Sequence, residues 1–111
     1  MIGADAIRGH IDLIVLAILE HEPSYPYAIS QRIEQTSAGA YAMKQTTLYT
    51  AMKRLEEQGA LISFPATSDI GRQRTYYQLT DQGRDQLREK RAEWEQVHRL
   101  VDHYAKGTRK P

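Results

Sequence analysis

The chain has 111 residues, 41% of them hydrophobic, which suits one small domain with a core of its own and modest stability that dimerisation would raise. It holds no cysteine, which excludes disulfides and thiolate metal sites, and its net charge of +1 favours no partner by itself. The distribution of charge is more informative. Residues 1–43 carry two basic and five acidic side chains (net −3), residues 44–74 five and three (+2), and residues 75–111 eight and six (+2).

The first helix is expected from Ile7 to Glu20. Ile11, Leu13, Ile14, Val15, Leu16, Ile18 and Leu19 cover more than one of its faces, so it needs cover on several sides. In so short a chain, a helix shared between the core and a partner subunit is preferred to a purely central one. Its apolar run, Leu13 to Leu19, is seven residues long, against the ~20 that a membrane-spanning helix needs. With no cleavage pattern after it, the expectation is a soluble cytoplasmic protein without membrane association.

Ser24 is a natural N-cap and Pro26 sits in a first turn, which predicts a second helix from about Tyr25 to Gln35. Tyr27, Ile29 and Ile33 supply its buried side. Ser37 to Ala40, with Gly39, form the turn into the next helix, which runs from Lys44 to Gly59 (KQTTLYTAMKRLEEQG). There Leu48, Met52 and Leu55 recur at i, i+4 and i+7 as one apolar stripe, with Ala51 beside it. Gln45, Tyr49 and Lys53 fall on another face, with Thr46 and Thr50 alongside. Amide, phenol, ammonium and hydroxyl groups together can touch phosphates and base edges, although an ordinary solvated face has the same composition. Gly59 suits the left-handed residue that ends a helix. Two helices joined by a short turn, the second polar on its outer side, make a helix-turn-helix.

After Gly59, Leu61 to Pro65 read as a strand, Ala66 to Gln73 as a turn region, and Arg74 to Leu79 as a second strand. Tyr77 and Leu79 would face the core, with Arg74, Tyr76 and Gln78 outside. Such a hairpin directly after a helix-turn-helix is a wing. Arg72 and Arg74 at its tip can hold a phosphate or enter a minor groove, or serve solubility alone. Thr80 then caps a last helix from Asp81 to about Lys106, in which Leu87, Trp94, Val97, Val101 and Tyr104 follow heptad spacing, with Lys90 between. A helix of that length spans ~36 Å at 1.5 Å per residue, more than a winged-helix core can cover. The excess predicts a homodimer. The tail from Gly107 to Pro111 is expected to fray.

The predicted class is α+β, mostly α: a winged helix-turn-helix DNA-binding domain over residues 1–80, then a C-terminal dimerisation helix and short tail over residues 81–111. TLYTAMKRLEEQGALIS (Thr47 to Ser63) and GRQRTYYQLTDQG (Gly71 to Gly83), with HIDLIVLAIL and PYAI upstream, resemble the PadR family of bacterial transcriptional regulators. The likeness covers nearly the whole chain. The single long C-terminal helix is similar to the small subfamily, and EWEQV around Trp94 resembles its multidrug-binding repressors.

The resemblance implies that Thr46, Thr47, Tyr49, Thr50 and Lys53 meet DNA, with Arg72 and Arg74 as wing contacts; Lys44, Gln45 and Gln73 complete the expected set. It also implies that Trp94 stacks planar aromatic or cationic compounds between subunits, in a cavity lined by Gly9, Leu13, Val97 and His98. Two departures stand out. Lys44 replaces the family's small polar cap, where a cation opposes the helix dipole by ~0.3–1 kcal/mol; a phosphate contact would offset that. Pro26 replaces a frequent glycine and stiffens the entry to the second helix.

The expected function is a homodimeric repressor that places two recognition helices ~34 Å apart on a pseudo-palindromic operator of double-stranded DNA. A small planar effector at the dimer interface would release it. A ligand-independent regulator, with Trp94 a plain interface aromatic, and a protein-interaction winged helix without DNA binding remain as alternatives. Catalysis finds no support: His10, His21, His98 and His103 lack metal-ligand spacing, Gly59, Gly71 and Gly83 form no phosphate loop, and no nucleophile motif is present. No cofactor and no metal are expected.

Overall fold

A computed structural model describes residues 1–107. The expectation for the tail beyond Gly107 lies outside the described residues. In chain order the elements are α1 (Ala4–Ile7), a 3₁₀ turn (Arg8–His10), α2 (Ile11–Ile18), α3 (Pro26–Thr36), α4 (Gln45–Glu57), β1 (Leu61–Thr67), β2 (Gln73–Leu79) and α5 (Asp81–Ala105). Helices α3 and α4 form the helix-turn-helix and the antiparallel β1–β2 hairpin is the wing, so the fold is a winged helix with a long C-terminal helix.

The expected first helix is broken. Glycine is ~1 kcal/mol less favourable than alanine inside a helix, and at Arg8–His10 the chain tightens into 3₁₀ geometry before α2 begins. Val15, Leu16 and Leu19 are then buried, whereas Leu13, Ile14 and Ile18 are half-buried.

Two expectations for α3 also change. Tyr25, not Ser24, is its N-cap and makes no side-chain cap bond. Pro26 excludes helical dihedrals at the residue before it, so Tyr25 is extended (φ −120°, ψ 159°). Ser24 is consequently free to pair with Tyr77 of β2, through backbone hydrogen bonds of 3.1 and 2.7 Å. Tyr27, expected inside, is 50% exposed, because the buried stripe is set by Pro26, Ile29 and Ile33 and Tyr27 falls off it. Its phenol oxygen accepts a bond from Gln31 Nε2 at 2.8 Å.

Helix α4 buries Leu48, Ala51, Met52 and Leu55 against Val15 and Leu16 of α2, Ile29 and Ile33 of α3, and Leu61, Leu79 and Leu87. Gly59 ends it at φ +80°, where its N–H donates to Glu56 O (3.0 Å) and that of Ala60 to Leu55 O (2.9 Å). This pair of bonds satisfies the last free carbonyls of the helix.

The strands are longer than expected and the turn shorter: pairing runs from Leu61↔Leu79 to Thr67↔Gln73, leaving residues 68–72 as the tip. Pro65 is tolerated inside β1 because β1 is an edge strand. Thr80 then joins three elements. Its hydroxyl donates to Gly59 O (2.6 Å) and accepts from Gly83 N (2.9 Å), capping α5. A Cβ on Gly83 would stand 2.2 Å from Ala60 O and 2.8 Å from Leu79 Cδ1, so only glycine lets α5 start this close to the wing.

Helix α5 has 25 residues, of which only Gly83 and Leu87 are buried. Leu87, expected on the dimer seam, is 1% exposed and belongs to the protomer's own core; the heptad stripe passes through that core before it leaves it. Beyond it Trp94, Val97, Leu100, Val101 and Tyr104 are all exposed. Arg91 anchors the emerging helix through two bonds to the Glu20 carboxylate (3.0 and 2.9 Å), and Arg84 donates to Glu20 O.

Gly83→Ala should lower stability by ~2–3 kcal/mol in chemical denaturation, since its clash is with backbone; a loss within experimental scatter would refute the close approach. The Arg91 hydrogen bond holds Glu20 below the ordinary carboxylate value. The pair therefore stabilises the fold above that ordinary value and contributes progressively less as pH falls through the lowered one. Thermal unfolding of Arg91→Ala should show a deficit at neutral pH that closes below the carboxylate range.

Candidate nucleic-acid interface

Burial of one side of α4 dictates what the other side presents. Lys44, Gln45, Thr46, Tyr49, Thr50 and Lys53 are exposed, and Thr47 is half-buried. Lys44 is the N-cap (φ −65°, ψ 140°) and offers no side-chain bond to the first turn, whose N–H groups stay open to an anion. Gln45 is tied back to α3 by its Nε2, which donates to Ser30 Oγ at 2.7 Å, so it braces the two helices as well as facing outward. The Thr50 hydroxyl donates to Thr46 O at 2.8 Å and has only its lone pairs left to offer. In the last turn the Glu56 carboxylate accepts from Ser63 Oγ of β1 at 2.6 Å, while Glu57 is exposed. The surface able to meet a polyanion is thus the first three turns.

On the wing, Arg72 and Gln73 are exposed. Arg74 and Tyr76, both expected outside, are half-buried. The cause is Tyr25, which the Ser24–Tyr77 pairing brings onto that face of the hairpin. Its ring lies edge-on to Tyr76 at 5.1 Å and under the Arg74 guanidinium, 5.1 Å from the centroid. Burial first, then Tyr25 and Asp69, push the Tyr76 phenol pKa up. Gln78 is exposed and Leu79 buried, as the alternation implied; Tyr77 is half-buried.

Charge pairing leaves the cations of this surface free, as it also leaves Arg32, Arg84 and Lys90 elsewhere. Among the described residues, carboxylates pair with Arg8, Arg54, Arg88, Arg91, Arg99 and Lys106. None pairs with Lys44, Lys53, Arg72 or Arg74, so no internal anion has to be displaced before these four can meet phosphate.

A second feature lies between the start of α2 and the middle of α5. Gly9, Leu13, Trp94 and Val97 line a cleft of about 140 Å³ together with His10, Lys90 and Glu93, which were not among the expected effector residues. Lys90 stands four residues before Trp94 and Glu93 four before Val97 on α5, and that helical spacing was the available signal. His98 does not line the cleft: its ring stacks flat on Trp94, with centroids 4.8 Å apart and planes at 9°. Leu100 is a further exposed apolar residue of the seam, three positions after Val97. Among the described residues no group of side chains is arranged to hold a metal, and no helix is long and apolar enough to cross a membrane.

The model of the PadR-like family of transcriptional regulators matches residues 15–89. The chain belongs to this family. A curated relative, an uncharacterised protein of Lysinibacillus sphaericus, is 33% identical over 107 residues, which are 96% of this chain and 98% of that one. A transcriptional regulator from Clostridium thermocellum is 36% identical, with a TM-score of 0.84 over 94% of this chain and 98% of the other. Bacillus subtilis PadR, solved with operator DNA, shares the fold at a TM-score of 0.63 and 19% identity, over 75% of this chain and 46% of that one.

Within the PadR-like match fall all ten candidate DNA contacts, from Lys44 to Arg74. Gly9, Leu13, Trp94, Val97 and His98 all fall outside it. The match takes in the second half of α2, the helix-turn-helix, the wing and the first residues of α5, and the cleft beside Trp94 is built from segments that flank it.

Proposed function

We propose that this regulator is a homodimeric DNA-binding repressor, released from a pseudo-palindromic operator by a planar aromatic or cationic effector at the dimer interface. The observation that carries DNA binding is the set of four cations without carboxylate partners on α4 and the wing, beside the exposed Tyr49, Thr46 and Thr50. Family membership supports it, as does the operator bound by the Bacillus subtilis relative.

Dimerisation is supported by two apolar surfaces that one protomer leaves open. One is the α5 seam of Trp94, Val97, Leu100, Val101 and Tyr104. The other is a groove of about 290 Å³ whose walls include Ile7, Ile14, Ile18, Ile33 and Tyr41. An α5 from a second copy, laid along α1 to α3, would cover both. A two-fold axis through such a pair would let the recognition helices enter successive major grooves, provided that they stand ~34 Å apart.

The effector site is supported by the cleft beside Trp94. Its 140 Å³ is less than the ~300–1,000 Å³ of a typical small-molecule site, so one protomer supplies part of the pocket and its partner the remainder. Helix α2 is placed to relay occupancy. Its N-terminal end forms the cleft wall at Leu13, Asp12 beside it is ion-paired to Arg54 of α4, and Glu20 beyond its far end holds Arg91 of α5. A ligand that widens the cleft would shift α2 against α4 and favour the conformation with lower DNA affinity. The stacking of His98 on Trp94 favours a second reading, in which the indole is already satisfied and regulation needs no ligand.

Replacing Lys53 and Arg72 together by alanine should weaken duplex binding at least about tenfold, with unfolding temperature unchanged; equal affinity would sink the DNA reading. Planar aromatic cations such as rhodamine dyes should quench the single tryptophan, and Trp94→Ala should abolish dye binding while sedimentation still reports a dimer. Failure to quench across a varied dye panel would favour the ligand-independent regulator.

A further inference from the structure

The wing is joined to the first helix of the helix-turn-helix by a row of flat groups with Tyr25 at its centre. Tyr25 is extended because a proline follows it, and Ser24 before it exchanges two backbone hydrogen bonds with Tyr77. Those bonds fix the Tyr25 ring over the outer face of the hairpin. Tyr76 meets it edge-on at 5.1 Å and stacks in turn on Phe64, its partner across the strand pair, at 6.0 Å. Above the Tyr25 ring lies the Arg74 guanidinium, 5.1 Å from the centroid.

A guanidinium laid on an aromatic ring spends its face and keeps its edge, so the N–H fork that matches a phosphate stays available. Arg74 Nε is buried without a hydrogen-bond partner, so the ring contact and not a hydrogen bond sets the guanidinium's attitude, and the edge left for phosphate is that of the two terminal nitrogens. No carboxylate among the described residues is ion-paired with it. Arg72, exposed at the tip, has no such support. The two wing arginines are therefore unequal: one is free to search and the other is held before DNA arrives. A side chain ordered in advance loses less freedom on binding, which raises affinity without adding a contact.

We infer that Tyr25 is a positioning residue for DNA binding: its ring holds the Arg74 guanidinium in the attitude from which Arg74 takes a backbone phosphate. The assignment rests on the DNA-binding reading above. It concerns a residue of the α2–α3 connection that lies outside both the recognition helix and the wing.

The test is a double-mutant cycle on the full chain, read by fluorescence anisotropy with random-sequence duplex DNA at low salt. Tyr25→Leu should weaken binding about fivefold, the scale of a partly exposed cation–π contact, and Tyr25→Phe should stay within about twofold of wild type. On an Arg74→Ala background, Tyr25→Leu should cost nothing further. A purely structural tyrosine would weaken binding equally on both backgrounds, and that result, or Tyr25→Leu binding like wild type, overturns the assignment. Should Tyr25→Leu fail to fold, Arg74→Lys keeps the question open to experiment. With its charge kept and its stacking plane lost, it should give up at least half of what Arg74→Ala gives up, and wild-type affinity there overturns the assignment. A wild-type chain with no affinity for any duplex would instead defeat the DNA-binding reading itself.

Discussion

One-sided burial of α4 is the constraint on which the molecule depends. Leu48, Ala51, Met52 and Leu55 are each no more than 2% exposed, so the helix has a single permitted rotation about its axis. A turn in one direction would drive Thr47 and Arg54, and in the other Gln45 and Glu56, into the core and strip them of water. Because the rotation is fixed, so is the outward set of Lys44, Thr46, Tyr49, Thr50 and Lys53. The same constraint reaches the wing through Gly59, Thr80 and Gly83, where the end of α4, the foot of the hairpin and the start of α5 meet within hydrogen-bonding distance. Recognition helix and wing are thus tied together at one junction.

The protomer covers only the first part of α5. Beyond Leu87 the apolar stripe is exposed, from Trp94 to Tyr104, yet Arg91 and Glu20 hold the helix root. An anchored arm with an open apolar seam is the feature on which the proposed dimer rests. Helix α2 sits between arm and reading head, with Asp12 held by Arg54 of α4 and Glu20 by Arg91 of α5. A displacement at the arm would therefore be felt at α4 through charge pairs as well as through apolar packing.

Much of this was legible in the sequence, and the failures share a cause. The spacing of Leu48, Met52 and Leu55 phased α4 correctly, Gly59 and Thr80 marked its end and the start of α5, and Trp94 lies in one cleft with Gly9, Leu13 and Val97. Local patterns failed where a distant segment decided the outcome. Alternation put Arg74 and Tyr76 outside, but Tyr25, some fifty positions earlier, covers them. The heptad that includes Leu87 does not say where the protomer's own core ends. A helix apolar on every side has no phase to betray a break, so the interruption before Ile11 was invisible apart from Gly9. Tyr27 was misplaced by its hydrophobic ring, when Pro26 had already set the buried face.

The most direct test is a salt titration of wild-type binding to duplex DNA, which counts the phosphates neutralised without requiring the operator. If Lys44, Lys53, Arg72 and Arg74 of each subunit meet the backbone, log K should fall linearly with log salt at a slope of about −3 to −4 per subunit. A slope near zero would mean that these unpaired cations face nothing but water, and would contradict the account.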